Sequence, residues 1–213
     1  MDEARTKLVG RLAVGAALVL AFAYLAFSFG SFRGLALAVD HAPRAFVDFV
    51  YVYYPAGKAI LEDGKVVQGF FYSPFFALLM APVSGLPGST PLFAWIGVQL
   101  AATAALGVAG LRLVPARPPW LTVAYAALFP LSFPVRHSFS WGQVSALLLA
   151  LALWGLWLVE RKKPAIGGGL LALAAAIKYY PLVLAFPWLI AREWRALVAL
   201  GLLLVLVLLV LPA

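Results

Sequence analysis

Residues 144–181 read VSALLLALALWGLWLVERKKPAIGGGLLALAAAIKYYP. Two apolar runs, 144–159 and 166–177, stand back to back, split by the basic group ERKK and closed by KYYP. Both runs are continuous rather than alternating, which predicts helices and argues against the strands of a membrane β-barrel. The triple glycine at 167–169 lacks the following Lys-Ser/Thr of a phosphate-binding loop, so close helix packing is its expected use.

The same texture extends both ways. Towards the C-terminus, 182–190 continues apolar to AREWR, and a last run covers 196–211. Towards the N-terminus lie the polar stretch PVRHSFSWGQ, read as a loop, a shorter span at 120–133, the basic loop RLVPARPP and a good span at 92–111. The apolar part 75–86 is short and interrupted by Pro82, so it is either a short span or a re-entrant hairpin. A first span occupies 8–29, longer than the apolar core of a cleaved signal peptide.

Composition agrees, with 65% hydrophobic and only 11% charged residues. The expected fold is all-α: a polytopic membrane helical bundle forming one membrane domain over 1–213. Its parts are the first span 8–29, an outer loop 31–72 with an interfacial helix at 49–61, and a helical bundle 74–213. No internal repeat suggests the paired halves of many transporters.

Charge narrows the function. The net charge is +8, yet the basic residues form short clusters between spans, which signals membrane topology rather than nucleic acid. The absence of cysteine excludes disulfides and thiolate metal sites, and His41 and His137 cannot form a metal site by themselves. With the N-terminus, RLVPAR, ERKK and AREWR facing the cytoplasm, the Asp48 segment, PVRHSFSWGQ and KYYP collect on the outer face. That parity holds if 75–86 does not cross; if it does, ERKK faces outward.

On that outer face Asp40, Asp48, Glu62 and Asp63 stand near Arg33, Arg44, Lys58 and Lys65, whereas Arg136 and Lys178 have no acid near them in sequence. Two unmatched cations at a membrane surface suit an anionic ligand such as a lipid phosphate. Asp48, among aromatic neighbours, is a partly desolvated base, a helix-start cap, or one half of a surface ion pair with Arg44. Lys178 either grips a phosphate or sits as a cation at a helix C-terminus. Arg136 suits bidentate phosphate contact or interfacial anchoring. Gln143 bonds a sugar hydroxyl or caps a helix, with His137 close by in sequence. Tyr51, Tyr53, Tyr54 and Tyr72 stack on a sugar or belong to an aromatic belt. No DxD pair appears, so a divalent metal clamp is not signalled.

Four pieces carry a resemblance: VDFVYVYYPAGKAILEDG, FYSPFFALLMAPVSGLP, SWGQVSALLLALAL and GGGLLALAAAIKYYPLVL, in this order. Together they resemble glycosyltransferase family 87, the polyprenyl-phosphate-sugar-dependent membrane glycosyltransferases. The resemblance implies a GT-C fold and transfer of a hexose, typically mannose, from a polyprenyl phosphate carrier to an acceptor hydroxyl on the outer face. It implies Asp48 as the catalytic base and carries the family's late-motif lysine to Lys178 and its GQ to Gln143. Joined to the reading of the residues themselves, this places Lys178 and Arg136 at the donor phosphate, and Tyr51, Tyr54, Tyr72, Gln143 and His137 at sugar or acceptor, as expectations. No cofactor beyond the donor is implied. Expected partners are membrane lipid, the polyprenyl-phosphate sugar and a glycan or lipid acceptor, in the prokaryotic plasma membrane. Relatives extend well past residue 213, so this chain is expected to be an N-terminal portion, with a complementary C-terminal half as a candidate partner. The competing readings are a carrier or flippase of lipid-linked sugar, and a non-catalytic fragment.

Overall fold

Prolines set where the helices of this chain begin. A proline in the first helical turn gives up no internal hydrogen bond, and its fixed φ suits helical entry. The computed structural model describes residues 46–113 and 118–210, together with positions 15 and 19. In order, its elements are a π-helical turn at Phe49–Tyr53 running into α1 (Tyr54–Asp63), α2 (Pro74–Ser84), α3 (Thr90–Leu113), α4 (Pro119–Leu128), α5 (Phe133–Trp141), α6 (Ser145–Glu160), α7 (Pro164–Ile177), a 3₁₀ turn at Tyr180–Ala185 leading to α8 (Phe186–Ile190), and α9 (Trp194–Val205), which ends in a second π-helical turn at Leu206–Val210. Proline occupies the first turn of α1, α2, α4, α5, α7 and α8. No strand occurs among the described residues, so the chain is all-helical there.

The glycines of the 167–169 triplet set the central packing. A Cβ on Gly167 would lie 2.5 Å from the carbonyl oxygen of Gly155 on α6, and one on Gly155 would lie 2.8 Å from that of Gly167. Gly168 lies in the same way against the backbone of Ala196 on α9. Small residues therefore let α7 approach both neighbours backbone to backbone. On the other side of α6, Ala102 and Leu106 of α3 pack against Ala146 and Ala150. The Trp154 indole N–H donates to the Ala105 carbonyl at 3.0 Å. Farther along, the guanidinium of Arg112 stands 5.5 Å from the Trp157 ring centroid. α3 and α6 therefore run side by side in the same direction, while α7 runs back.

Two ends result. Arg112, Arg161 and Lys163 mark the end where α3 and α6 finish and α7 starts, and the start of α9 joins them, because Pro164 and Trp194 line one cleft. The opposite end gathers the starts of α2, α3 and α6, the finish of α7 and the Asp48 turn.

Three expectations change. The stretch PVRHSFSWGQ is not a loop: it forms α5, with Pro134 in the first turn and Val135, Ser138 and Phe139 facing inward. The run 120–133 is not one span, because its helix ends at Leu128 and the chain turns at a fully buried Pro130. The helix at 49–61 is not a surface element alone, since Phe49, Tyr53, Ala56 and Gly57 are buried. Gly57 allows this contact: a Cβ there would lie 2.7 Å from the Met80 backbone of α2. The α2 helix, of 11 residues, rises only about 16 Å, roughly half the hydrocarbon thickness of a bilayer. Among the described residues α3 alone is long and apolar enough to cross a membrane by itself; Trp120–Trp141 and Ser145–Glu160 meet that test only as a pair bent by 120°. Apart from positions 15 and 19, the first span at 8–29 lies outside the described residues, as do Asp40, His41, Arg33 and Arg44.

Candidate functional site

The site is built on a backbone irregularity. At Phe49–Tyr53 the helix opens into a π turn, and the N–H of Tyr54 donates to the carbonyl of Phe49, five residues back. An α-helix would pair residues four apart; the extra residue brings positions 48 and 53 onto one face, and such turns are frequent at functional sites. Asp48 is already helical, and its side chain makes no capping hydrogen bond. The cap reading therefore falls away, and the carboxylate turns to tertiary partners instead.

Those partners come from three distant parts of the chain. The carboxyl of Asp48 is pushed above its ordinary value of 3.8, first by burial. Hydrogen bonding from Gln143, the charges of Lys178 and His137, and a hydrogen bond from Tyr53 oppose that rise. Asp48, Gln143, Lys178 and His137 are thus brought together. Lys178 and Asp48 make no direct ion pair: among the described residues, the only carboxylate and cation within 4 Å are Glu62 and Lys58, at 3.7 Å.

Each side chain has a local cause for its position. Gly142 ends α5 at φ +68, and Phe46, itself at φ 57, donates its N–H to the Ser140 carbonyl at 2.6 Å, pinning the approach to Asp48 against α5. A Cβ at Gly142 would stand 3.1 Å from the Phe46 Cα, so the close approach requires glycine there. From α3, the Trp95 indole N–H donates to the Gly142 carbonyl at 2.9 Å, and the Gln99 amide donates to the Gln143 carbonyl at 2.6 Å. The Val144 N–H donates to the Tyr53 hydroxyl at 3.4 Å. The break between α5 and α6 is therefore held by polar bonds from α3 and the π turn.

Lys178 follows the last turn of α7 in extended backbone, at φ −150 and ψ 129. Its ammonium lies 4.9 Å from the Tyr72 ring centroid and 5.9 Å from that of Tyr180, within cation–π range. Ser73 makes this possible. Its hydroxyl donates to the Ala176 carbonyl, its N–H donates to the Ile177 carbonyl at 3.5 Å, and its Oγ accepts from the Phe76 N–H at 3.3 Å. One serine thus ties the end of α7 to the start of α2 and sets Tyr72 beside Lys178.

Tyr53 links the two halves. It is fully buried, and its hydroxyl lies 2.9 Å from that of Tyr72. Burial pushes its phenol up, so it stays protonated. A hydroxyl has one proton and two lone pairs. The Val144 N–H donates to that of Tyr53, and its single proton serves either the Tyr72 hydroxyl or the Asp48 carboxylate.

The remaining predicted residues spread along the rim. His137 is exposed, stacked with Phe133 at 5.3 Å and tilted against Trp141 at 5.6 Å, one helical turn on either side. Arg136 is exposed on the same helix, one position away, and the described contacts do not place it at Asp48. Tyr51 is 57% exposed and points away from the buried face that holds Tyr53. Tyr54 is half-buried with its ring 6.1 Å from Phe49, and its carbonyl accepts from the Ser84 hydroxyl at 3.0 Å. Below Gln143 an open apolar groove of about 390 Å³ runs between α3 and α6, lined by Val98, Ala101, Ala105, Leu147, Leu151 and Trp154 among others. Sequence reading offered Tyr53 only as a sugar-stacking or belt tyrosine, not as a partner of Asp48, and did not single out Ser73, Trp95 or Gln99. No period of 3.6 connects Asp48 with Tyr53, and Ser73 and Gln99 act through backbone carbonyls that carry no sequence signal.

The model of the family described as Glycosyltransferase family 87 matches residues 70–213. A polyprenol-phosphate-mannose-dependent alpha-(1-2)-phosphatidylinositol pentamannoside mannosyltransferase of Mycolicibacterium smegmatis is 28% identical over 183 residues, covering 83% of this chain and 42% of that protein. The chain therefore spans less than half the length of this relative. No solved structure matches.

Proposed function

Since the chain belongs to glycosyltransferase family 87, we propose that it carries the base and donor-phosphate region of a multi-pass plasma-membrane hexosyltransferase with GT-C architecture. The donor is a polyprenyl-phosphate sugar, most simply mannose, and the acceptor is a hydroxyl of a glycan or lipid. The observation that carries this reading is the meeting of Asp48, Gln143, Lys178 and His137 at one end of the helical bundle. The relative's dependence on polyprenol-phosphate-mannose supports the same donor class.

In this reading Asp48 takes the proton of the acceptor hydroxyl. The freed oxygen attacks the anomeric carbon as the bond from that carbon to the phosphate oxygen breaks, with inversion. Polyprenyl phosphate leaves with the bonding pair, and its growing charge is met by Lys178, with Arg136 on the adjacent helix. A preorganised cation at a low-water site stabilises a leaving anion more than it does in bulk water. Gln143 and Tyr53 hold the carboxylate in orientation, and Tyr72, His137 and the outer tyrosines line the approach of sugar and acceptor. The apolar groove between α3 and α6 begins at Leu147, one helical turn beyond Gln143, and suits isoprene units of the carrier. The reacting groups occupy one end only, which favours transfer over transport, because a carrier needs a site open alternately to both sides.

The test is Asp48→Asn in a complete enzyme carrying this sequence, with labelled polyprenyl-phosphate mannose and a panel of acceptors. Transfer is expected to fall by about 10²-fold or more, the usual scale for a general base, with membrane insertion and donor binding unchanged. Transfer at the parent rate overturns the assignment.

A further inference from the structure

The end of the bundle opposite Asp48 carries a second polar cleft that the proposed reaction does not use. It encloses about 440 Å³ and is lined by Lys162, Arg192, Arg195, Glu193, Trp194 and Pro164, with Val159 at its base. Three cations face one carboxylate. No ion pair within 4 Å joins Glu193 to any of them among the described residues.

The turns that present these cations share one design. After α6, the Lys162 N–H donates to Val159 and the Lys163 N–H to Leu158, at 3.0 and 2.9 Å. After α8, the Arg192 N–H donates to Leu189 and the Glu193 N–H to Trp188, at 3.3 and 2.9 Å. Both close as Schellman turns, whose left-handed position is ordinarily glycine. Here that position is Lys162 at φ 60 and Arg192 at φ 56. In a chain with 18 glycines, both turns accept the strain of a side chain at positive φ, and in both the side chain is cationic and faces the cleft. The next helices, α7 and α9, start there without side-chain caps, so their positive dipole ends add to the same field. Trp194, 57% exposed at the rim, has the amphipathic form suited to a headgroup layer.

We infer that this cleft binds a phosphate group, of the kind borne by an anionic phospholipid headgroup or free in solution. The inference does not depend on sugar transfer at the other end, and its test does not measure transfer.

The experiment uses the full chain in neutral detergent, exchanged against phosphatidylglycerol and phosphatidylcholine, with retained lipid counted by native mass spectrometry. Phosphatidylglycerol is expected to be retained about tenfold over phosphatidylcholine, the choline cation being repelled by the basic lining. Arg192→Gly combined with Arg195→Gln should erase that preference. Glycine suits the turn at position 192, so this variant is expected to melt no lower than the parent, which separates lost binding from lost folding. Lys58→Gln, which removes an exposed cation on α1, should keep the preference. Millimolar inorganic phosphate is the second arm. Displacement of the lipid marks a site satisfied by free phosphate, and retention marks one that needs the headgroup in its lipid setting. Equal retention of the two lipids by the parent chain, or an undiminished preference in the double variant, overturns the inference.

Discussion

Replacing Tyr53 by phenylalanine removes a single oxygen from the most connected point of the site. The ring contacts survive: Tyr72, Phe76 and Trp95 lie edge-on at 5.2, 5.0 and 5.4 Å, and none depends on the hydroxyl. No cavity opens, so the cost is purely polar. The Val144 N–H, at the buried start of α6, loses the Tyr53 hydroxyl that accepts from it at 3.4 Å. An orphaned buried donor costs about 1–3 kcal/mol. Tyr72→Phe removes only the half-buried end of the pair and should cost less than about 1 kcal/mol. Because the two hydroxyls lie 2.9 Å apart, the double variant should fall short of the sum of the single effects by about 0.5 kcal/mol or more. The measurement is a double-mutant cycle by thermal and chemical unfolding of the chain in detergent at pH 7. Strict additivity, or a Tyr53→Phe variant indistinguishable from the parent, would refute the network.

Two further outcomes follow from the packing and charge. Asp48→Asn should raise the melting temperature at neutral pH. The folded-state pKa of Asp48 lies above its ordinary 3.8, so the folded chain holds that proton more tightly than the unfolded chain, and stability is lost as pH rises from that value through the folded one. The gain on substitution should therefore vanish at about pH 3 and below, where the carboxyl is mostly neutral in both states; an equal gain at about pH 3 and pH 7 would contradict the burial effect. In the glycine triplet, Gly167→Val should cost about 3 kcal/mol, since its Cβ meets a backbone oxygen that cannot move aside. Gly169→Ala, whose Cβ would meet only Leu203 at 3.7 Å, should instead stabilise α7 by up to about 1 kcal/mol. Matching effects at the two positions, read from melting curves, would show that α6 and α7 are not in backbone contact.

What was readable in the chain was mostly length and sidedness. The runs at 92–111, 144–159 and 166–177 became Thr90–Leu113, Ser145–Glu160 and Pro164–Ile177, because a continuous apolar stretch between prolines or charges admits one structure. Lys178 fell at a helix end because KYYP interrupts the hydrophobic run. The meeting of Lys178 with Asp48 was reached by counting crossings from the basic clusters, not from any spacing. The α5 helix was missed because its exposed face carries Arg136 and His137, and a short helix that buries only Val135, Ser138 and Phe139 looks like a polar loop. The link from Asp48 to Tyr53 was hidden for a different reason. It depends on a helical turn of unusual width, which no regular period announces.

That wide turn has a consequence for how this chain can vary its approach to the acid. Within Phe49–Tyr53 a substitution exchanges one contact for another, but the loss of a single residue would restore the ordinary helical pitch. Everything before it would then swing by about 100° about the axis. The hydrophobic ring stack would stay seated on Trp95 and Phe76, while the carboxylate would rotate out from under Gln143. Chain length at this point, more than the identity of any one side chain, is the quantity that selection would have to hold fixed.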